Sequence, residues 1–187
     1  MDPDVLLKTR RSVRRYRQDP VALATLREIV EVARFAPSGG NRQQCELVLV
    51  NDRATVEKVF PTLAWLPAVG APPAGQRPVA YLVVISKGEP RLADCASLVT
   101  YVLLAAHARG IGTCWFGSVT RAELARILGI PSDYSIAFVI SLGYPDERFE
   151  AFDAADDTSV HVKDGVVRVP KRPTRAILHE NAFGHRA

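Results

Sequence analysis

The chain has 187 residues, which is enough to bury one hydrophobic core, and its composition gives no sign of a second domain. Its 24 basic residues exceed the 20 acidic ones by four, an excess that favours anionic ligands but is too small to indicate nucleic-acid binding without a dedicated basic face. No apolar stretch approaches the length of a membrane span, and the charged N-terminus lacks the apolar core of a signal peptide, so we expect a soluble, cytoplasmic protein with no membrane partner.

The helical period first becomes clear over Leu23 to Phe35, and Pro37 ends it. An alternating apolar run, Glu46 to Val50, predicts the first strand. Residues 61–78 are so rich in proline and glycine that no regular helix or central strand can persist there. We interpret this segment as a lid or pocket-wall loop.

The second half of the chain continues the alternation of strands and helices. Strands are predicted at Val79 to Ser86, Thr113 to Phe116 and Ile136 to Leu142. A helix is predicted at Leu92 to Ala106, and because it carries almost no charge, it should be buried on nearly all sides, in the core or against another subunit. Another helix is predicted at Arg121 to Leu128, after a capping box of Thr120 and Glu123. An Asp-Gly pair within residues 160–169 predicts a tight hairpin. The order predicts an α/β or α+β fold, built as a single domain over residues 1–187.

Three cysteines, Cys45, Cys95 and Cys114, form no CxxC pair and lie in apolar surroundings. Buried free thiols are therefore predicted rather than a disulfide framework or a metal site. None of the four histidines is paired with a carboxylate or a cysteine at metal-ligand spacing, so no metal and no histidine catalysis are expected.

A basic cluster near the N-terminus is the first candidate site. Residues 10–15 concentrate four guanidinium groups and the hydroxyl of Ser12, and arginine offers fixed, bidentate donors to a phosphate. The alternative is a solvated basic turn.

Two glycine-containing stretches are further candidates. In residues 37–43 small side chains permit a planar ligand to approach the backbone, and the amides of Asn41 and Gln43 can pair with ring heteroatoms, although an ordinary turn has the same composition. Residues 110–117 place glycines on both sides of a short strand, where simple helix termination is the alternative. Neither stretch is a GxGxxG fingerprint or a GxxxxGK[ST] phosphate loop.

Taken together and in order, these stretches resemble the nitroreductase family over nearly the whole chain. The matching segments are RRSVRRY, APSGGNRQ, HARGIGTCWFG, SLGYP and VPKRPTRAILHEN. The resemblance implies an α+β fold with a central, mostly antiparallel sheet flanked by helices. It also implies an intertwined homodimer with two FMN sites, each built from both chains.

The resemblance also implies roles for particular residues. Arg10, Ser12 and Arg14, with help from Arg11, would hold the phosphate and ribityl side of FMN, with Arg14 closest to the pyrimidine. The isoalloxazine ring would be lined by residues of the other subunit, namely Pro37, Ser38, Gly39 and Asn41, with Gln43 nearby. The backbone of Cys114, Trp115 and Gly117 would pass the flavin N5 edge, and Lys171 and Arg172 would close on the phosphate. Many relatives have proline and an aromatic residue where this chain has Gln44 and Cys45.

The implied activity is hydride transfer from NADH or NADPH through flavin N5 to an electron-poor acceptor such as a nitroaromatic or a quinone, in a ping-pong cycle that needs no catalytic side chain. Relatives also reduce enals, aldehydes, halogenated aromatics or flavin itself, so the acceptor stays open. The alternative of a different class is a non-redox protein that binds anions or nucleic acid through the basic cluster.

Overall fold

The computed structural model describes residues 2–186, and the contacts within it define two compact units. The first unit runs up to Ala64 and continues over Pro72–Asp146. The second consists of Trp65–Ala71 and the described residues from Glu147 onward. The candidate site residues fall in four stretches of the chain. Residues 10–15, 37–43 and 110–117 lie in the first unit, and the basic pair Lys171 and Arg172 lies in the second.

The first unit is built on a four-stranded sheet in which all neighbours are antiparallel, as the family resemblance implied. The strands follow the spatial order β1-β2-β4-β3 and comprise β1 (Cys45–Val50), β2 (Ala80–Lys87), β3 (Gly112–Phe116) and β4 (Tyr134–Gly143). The two central strands are buried almost throughout, which explains why they read as continuous apolar runs rather than as alternating ones. The strands β1 and β3 form opposite edges of the sheet.

The part of the chain that the structure describes contains five α-helices: α1 (Pro3–Thr9), α2 (Leu23–Ala33), α3 (Arg53–Val59), α4 (Leu92–His107) and α5 (Arg121–Leu128). The helices α2 and α4 pack on each other and supply most of the core that covers the sheet. The face of α2 that enters this core carries Leu26, Ile29 and Ala33, whereas Leu23 is exposed. All three predicted helices, α2, α4 and α5, thus form, with boundaries within two residues of those predicted.

Helix α4 is buried on one face only within this chain. Its residues Val99, Val102 and Ala106 are fully buried, but Leu92 and Tyr101 are 55% and 37% exposed. The core of one chain therefore covers only part of this helix, and the predicted burial of its exposed apolar residues against another subunit stays a prediction.

The sequence reading missed two short helices and misassigned one cap. The helices α1 and α3 were not predicted, although each begins after an aspartate, Asp2 or Asp52, whose carboxylate accepts backbone N–H bonds of the first turn. The predicted capping box at α5 is absent, because the side chain of Thr120 makes no capping hydrogen bond. At its other end, helix α5 stops at Leu128 and is followed by Gly129, which adopts the left-handed conformation common at helix C-termini.

The second unit contains a three-stranded sheet in the order β5-β7-β6. Its strands are β5 (Arg148–Asp153), β6 (His161–Lys163) and β7 (Val166–Lys171). The predicted hairpin is confirmed: β6 and β7 pair antiparallel, and Asp164 and Gly165 both have positive φ, as a two-residue hairpin turn of this kind requires. The strand β5 was not predicted and pairs parallel to β7.

Residues 61–78 contain only one-turn helices, at Phe60–Thr62 and Ala74–Gln76, so the prediction of irregular structure there is confirmed.

Within residues 2–186 no helix has both the length and the apolar character required to cross a membrane.

Candidate functional site

The basic segment of residues 10–15, here called the arginine segment, runs along the free edge of β3. Ser12 forms a parallel bridge with Thr113, and the Val13 N–H donates to the Thr113 carbonyl over 2.8 Å. The hydroxyl of Tyr16, which is fully buried, hydrogen-bonds to the Val13 carbonyl and to Ser141. The structure thereby brings together two of the sequence motifs, the arginine segment and the glycine-flanked strand.

Two glycines make this close approach possible. A Cβ on Gly112 would lie 2.8 Å from Val13 Cγ2 and 2.9 Å from Pro145 Cγ, and one on Gly143 would lie 2.8 Å from Tyr16 Cδ1. Contacts that short are not tolerated without a shift of the neighbours. The chain around the arginine segment can therefore pack this closely only because positions 112 and 143 are glycines.

The arginine segment concentrates positive charge in a partly buried place. Burial lowers the pKa of Arg10, and the neighbouring Arg11 guanidinium lowers it further, while Cys114 on β3 acts in the opposite direction. Among residues 2–186 the Arg10 guanidinium has no hydrogen bond and no carboxylate partner. Arg11 differs, because its Nη1 donates to the carbonyls of Lys8 and Arg10 over 2.7 Å each at the end of α1.

His107, at the last turn of α4, belongs to the same cluster. Its Nε2 lies 2.9 Å from the Thr9 hydroxyl oxygen. Burial lowers the pKa of His107, and the guanidinium groups of Arg10 and Arg11 lower it further. The guanidinium groups of this cluster therefore disfavour positive charge on their neighbours, an electrostatic setting that favours a bound anion.

The far end of β3 provides an open backbone surface. Trp115 is 37% exposed and packs edge-on against Phe138, with ring centroids 4.9 Å apart. Gly117 has no atom within 4 Å of the place where a Cβ would lie, so a flat ligand can approach its backbone. Its carbonyl accepts a 2.9 Å hydrogen bond from Arg121, which also donates to the Ile136 carbonyl and so holds this turn against β4.

The third motif, residues 37–43, forms a loop between α2 and β1 that we call the Ser38 loop. The Ser38 hydroxyl accepts from the Gln43 N–H over 3.1 Å, and the Gln43 side-chain amide donates to Asn41 Oδ1 over 3.1 Å. Gly40, Asn41 and Gln43 all have positive φ, a conformation that glycine and asparagine adopt most readily. Asp94, in the first turn of α4, accepts the Gly39 N–H over 2.8 Å and ties the loop to that helix.

The Ser38 loop borders a groove with a volume of about 310 Å³. Most of its wall is apolar and comes from α2, β1 and α4, with Arg34, Glu46 and Asp94 among its charged residues. One oxygen of Asp94, Oδ2, is shielded from solvent and has no hydrogen-bond partner within residues 2–186. The groove therefore combines a mostly apolar wall with a few polar and charged groups, a combination typical of small-molecule sites.

The Ser38 loop and the arginine segment lie apart in a single chain. The loop is tied to Asp94 at the start of α4, whereas the arginine segment contacts His107 at the end of that helix, about 20 Å further along it at 1.5 Å per residue. The Ser38 loop leads into β1 and the arginine segment bridges to β3, and these two strands are opposite edges of the sheet. One copy of the chain thus does not bring these two motifs to the same side of one pocket.

The remaining predicted pair lies in the second unit. Lys171 is the last residue of β7, and Arg172 follows it. Both are exposed, and Arg172 donates to the Ala176 carbonyl over 2.6 Å.

The structure identifies positioning residues that the sequence reading did not single out. Asp94 holds the Ser38 loop and Arg121 holds the Gly117 turn. An aspartate at the start of an otherwise uncharged helix was a usable signal for Asp94, because such a charge needs a partner. Arg121 had no such signal, since its bonds to backbone carbonyls depend on the tertiary approach of α5 to β4.

The chain matches the model of the nitroreductase family over residues 7–91 and 86–144. A Thermus thermophilus protein named NADH dehydrogenase is 33% identical over 182 residues, covering 79% of this chain and 89% of the relative. A Bacillus subtilis protein named FMN reductase [NAD(P)H] is 26% identical, covering 95% and 72%. A solved structure described as an FMN-dependent nitroreductase from Clostridium difficile R20291 superposes with a TM-score of 0.68 at 26% identity and covers 85% of this chain and 98% of that one. The chain belongs to the nitroreductase family.

Proposed function

We propose that the chain is an FMN-dependent oxidoreductase that works as a homodimer in the cytoplasm and passes hydride from NADH or NADPH to an electron-poor acceptor, a nitroaromatic or a quinone. The observation that carries the proposal is the docking of the arginine segment along β3 through Val13 and Thr113. It sets two phosphate donors, the Arg10 guanidinium and the Ser12 hydroxyl, beside β3. The family assignment and the names of relatives, which include an FMN reductase and an FMN-dependent nitroreductase, support it.

The residues present fit FMN. The Arg10 guanidinium and the Ser12 hydroxyl, both half-buried, are without partners among residues 2–186, and together they offer donors suited to a phosphate. The open backbone at Gly117 suits the edge of a flat ring. When bound, FMN would supply the redox chemistry, accepting hydride at N5 and passing it on.

The chain's own residues would bind and orient that group. Arg10 and Ser12 would hold the phosphate and ribityl side, and Arg14, whose Nη1 donates to the Ser12 carbonyl over 3.1 Å, would place a cation near the pyrimidine. A fixed cation there stabilises negative charge on the ring. Cys114, Trp115 and Gly117 would present backbone to the N5 edge, and Arg121 would keep that backbone in place.

A second copy of the chain would complete the site. The Ser38 loop and the arginine segment lie at opposite ends of α4, so each site would take its arginines from one copy and Pro37, Ser38, Gly39, Asn41 and Gln43 from the other. The exposed apolar residues of α4 would be buried between the copies. Lys171 and Arg172 would close on the phosphate from the C-terminal side, as exposed cations available for that role.

The experiment that tests the proposal is a visible spectrum of the purified protein, followed by anaerobic titration with NADH and, separately, NADPH. We expect a yellow protein that releases FMN on denaturation and whose flavin absorbance bleaches with at least one nicotinamide. Reoxidation by a nitroaromatic, a quinone, an enal or a halogenated aromatic would then rank the acceptors. A colourless protein that takes up no added FMN and binds oligonucleotides in a salt-sensitive manner would contradict the proposal.

The role of Arg14 has its own test. We expect Arg14→Ala to weaken FMN retention and to lower the reduction potential of the bound flavin, because the anionic reduced form loses a nearby cation. Unchanged flavin content together with an unchanged potential would remove that role from Arg14.

A further inference from the structure

Two of the three cysteines meet beside the Ser38 loop. Cys45 is the first residue of β1 and Cys95 lies in the first turn of α4, and their sulfur atoms are 3.1 Å apart. A disulfide bond is about 2.05 Å long, so a movement of about 1 Å would join them. Both are free thiols in the structure, as predicted from the sequence, but their spacing along the chain does not indicate that they lie side by side.

The two thiols differ in their access to solvent. Cys95 is fully buried, whereas Cys45 is half-buried and contributes to the wall of the groove beside the Ser38 loop. Burial raises the pKa of Cys95 to about 12, and the hydrogen bond with Cys45 adds to the effect. A small oxidant in the groove would therefore meet Cys45 first, and Cys95 would react second as the neighbour held in contact with it.

We propose that Cys45 and Cys95 form a reversible dithiol–disulfide site that is oxidised by small hydroperoxides. The Cys45 thiol gives up its proton and its sulfur attacks one peroxide oxygen. The O–O bond breaks, and the other oxygen takes up that proton and leaves as an alcohol, or as water from hydrogen peroxide. Cys45 becomes a sulfenic acid. The Cys95 sulfur then attacks the Cys45 sulfur, and its proton leaves with the hydroxyl group as water. Two thiols lose two electrons in total, and the hydroperoxide accepts them.

The disulfide would join two supports of the Ser38 loop. Cys45 begins the strand that directly follows the loop, and Cys95 is the neighbour of Asp94, which accepts the Gly39 N–H. The bond would therefore fix the C-terminal end of the loop covalently to α4, the helix whose Asp94 already holds Gly39, and restrict the opening of the loop. The thiol chemistry is independent of the proposed flavin function, whereas the effect of the loop on flavin binding rests on it.

The test uses the purified full-length protein, first reduced with dithiothreitol and then exposed to hydrogen peroxide. Samples are unfolded, alkylated and examined by intact mass and peptide mapping. Before alkylation, the oxidised protein should be about 2 Da lighter than the reduced protein, because two hydrogens are removed. After unfolding and alkylation, Cys45 and Cys95 should both lack the alkyl group, and dithiothreitol should reverse both changes. Hydrogen exchange over residues 37–44 should slow several-fold in the oxidised protein.

Cys114 provides a matched control, because it is a third buried thiol that lies on β3. Cys114→Ala should still show the mass loss on oxidation, while Cys45→Ala and Cys95→Ala should each abolish it. Circular dichroism and thermal unfolding check that these variants are folded. Flavin content is read in the same samples, so that a failure to bind FMN is recorded separately from a failure to form the disulfide.

The proposal is overturned if Cys45 and Cys95 both remain fully alkylated after oxidation of the folded protein. It is also overturned if Cys45 gains oxygen atoms while Cys95 stays reduced, because the second thiol would then not react with the first. Unchanged hydrogen exchange in a protein whose disulfide has formed would refute the effect on the Ser38 loop.

Discussion

Replacing Gly112 by alanine tests the docking of the arginine segment on β3. The added Cβ would lie 2.8 Å from Val13 Cγ2 and 2.9 Å from both Val13 Cβ and Pro145 Cγ. Overpacking of this kind costs about 1–3 kcal/mol, because buried neighbours must leave their preferred positions. At about 2–4 °C of melting temperature per kcal/mol for a chain of this size, we expect Gly112→Ala to lower the melting temperature by roughly 2–12 °C.

The same substitution should weaken FMN binding. Val13 carries the 2.8 Å hydrogen bond to the Thr113 carbonyl, so its displacement also moves Ser12 and Arg14, its neighbours in the chain. Thermal unfolding of the apoprotein gives the stability change, and a fluorescence titration with FMN gives the change in dissociation constant. Both should change together.

Gly75→Ala is the matched control, because a Cβ at Gly75 meets no atom within 4 Å and its φ is not in the left-handed region. We expect it to leave the melting temperature unchanged or to raise it slightly, since alanine restricts the unfolded chain. If Gly112→Ala melts at the temperature of the control and binds FMN equally well, the proposed close docking of the arginine segment is refuted.

Three further predictions concern the charged groups around the site. Arg10→Ala should weaken FMN binding roughly 10- to 100-fold, as expected for about 1.5–3 kcal/mol from hydrogen bonds to a charged group, without destabilising the apoprotein, because Arg10 has no partner among residues 2–186. His107→Gln should flatten the pH dependence of stability. Folding lowers the pKa of His107 below its ordinary value of 6.5, so as the pH drops below about 6.5 the unfolded chain takes up a proton before the folded chain does. The free energy of unfolding of the unmodified protein therefore falls in that range, and the variant should lose this contribution. Asp94→Ala should weaken FMN binding roughly 10-fold by releasing the Gly39 N–H, whereas Asp94→Asn, which keeps an oxygen acceptor, should weaken it less.

Each of these predictions has an outcome that contradicts it. Arg53→Ala, at an exposed position in α3, is the control for Arg10, and equal FMN affinity in the two variants would argue against phosphate binding by Arg10. Equal slopes of stability against pH for the His107 variant and the unmodified protein would show that this histidine does not titrate as described. Equal FMN affinities of Asp94→Ala and Asp94→Asn would show that the bond to Gly39 does not matter.

The sequence predicts the core elements well because their apolar pattern directly reflects burial. The strands β2 and β4 read as continuous apolar runs since both are central in the sheet, and the Asp164-Gly165 turn is specified by its own two residues. Helices α1 and α3 were missed because seven residues are too few for a periodic pattern. The predicted capping box at Thr120 is wrong because the motif indicates which local hydrogen bonds can form, not which ones do form in the folded chain.

The site is less accessible to sequence reasoning than the fold. The order of the motifs suggested one ligand, but only the tertiary structure shows that the arginine segment docks on β3 and that the Ser38 loop lies at the other end of α4. The contact between Cys45 and Cys95 likewise depends on two elements that are 50 residues apart in the chain. Spacing along the sequence carries no information on such contacts.

The central claim is that each flavin is held by arginines of one chain and the Ser38 loop of another. The most direct measurement is FMN stoichiometry in a mixed dimer in which one chain carries Arg14→Ala and the other Asn41→Ala, each bearing a different affinity tag for purification. If the site is shared between chains, one of the two sites receives both substitutions and the other receives none. The account predicts one tightly bound FMN per mixed dimer. Two weakened sites and no tightly bound FMN would contradict it.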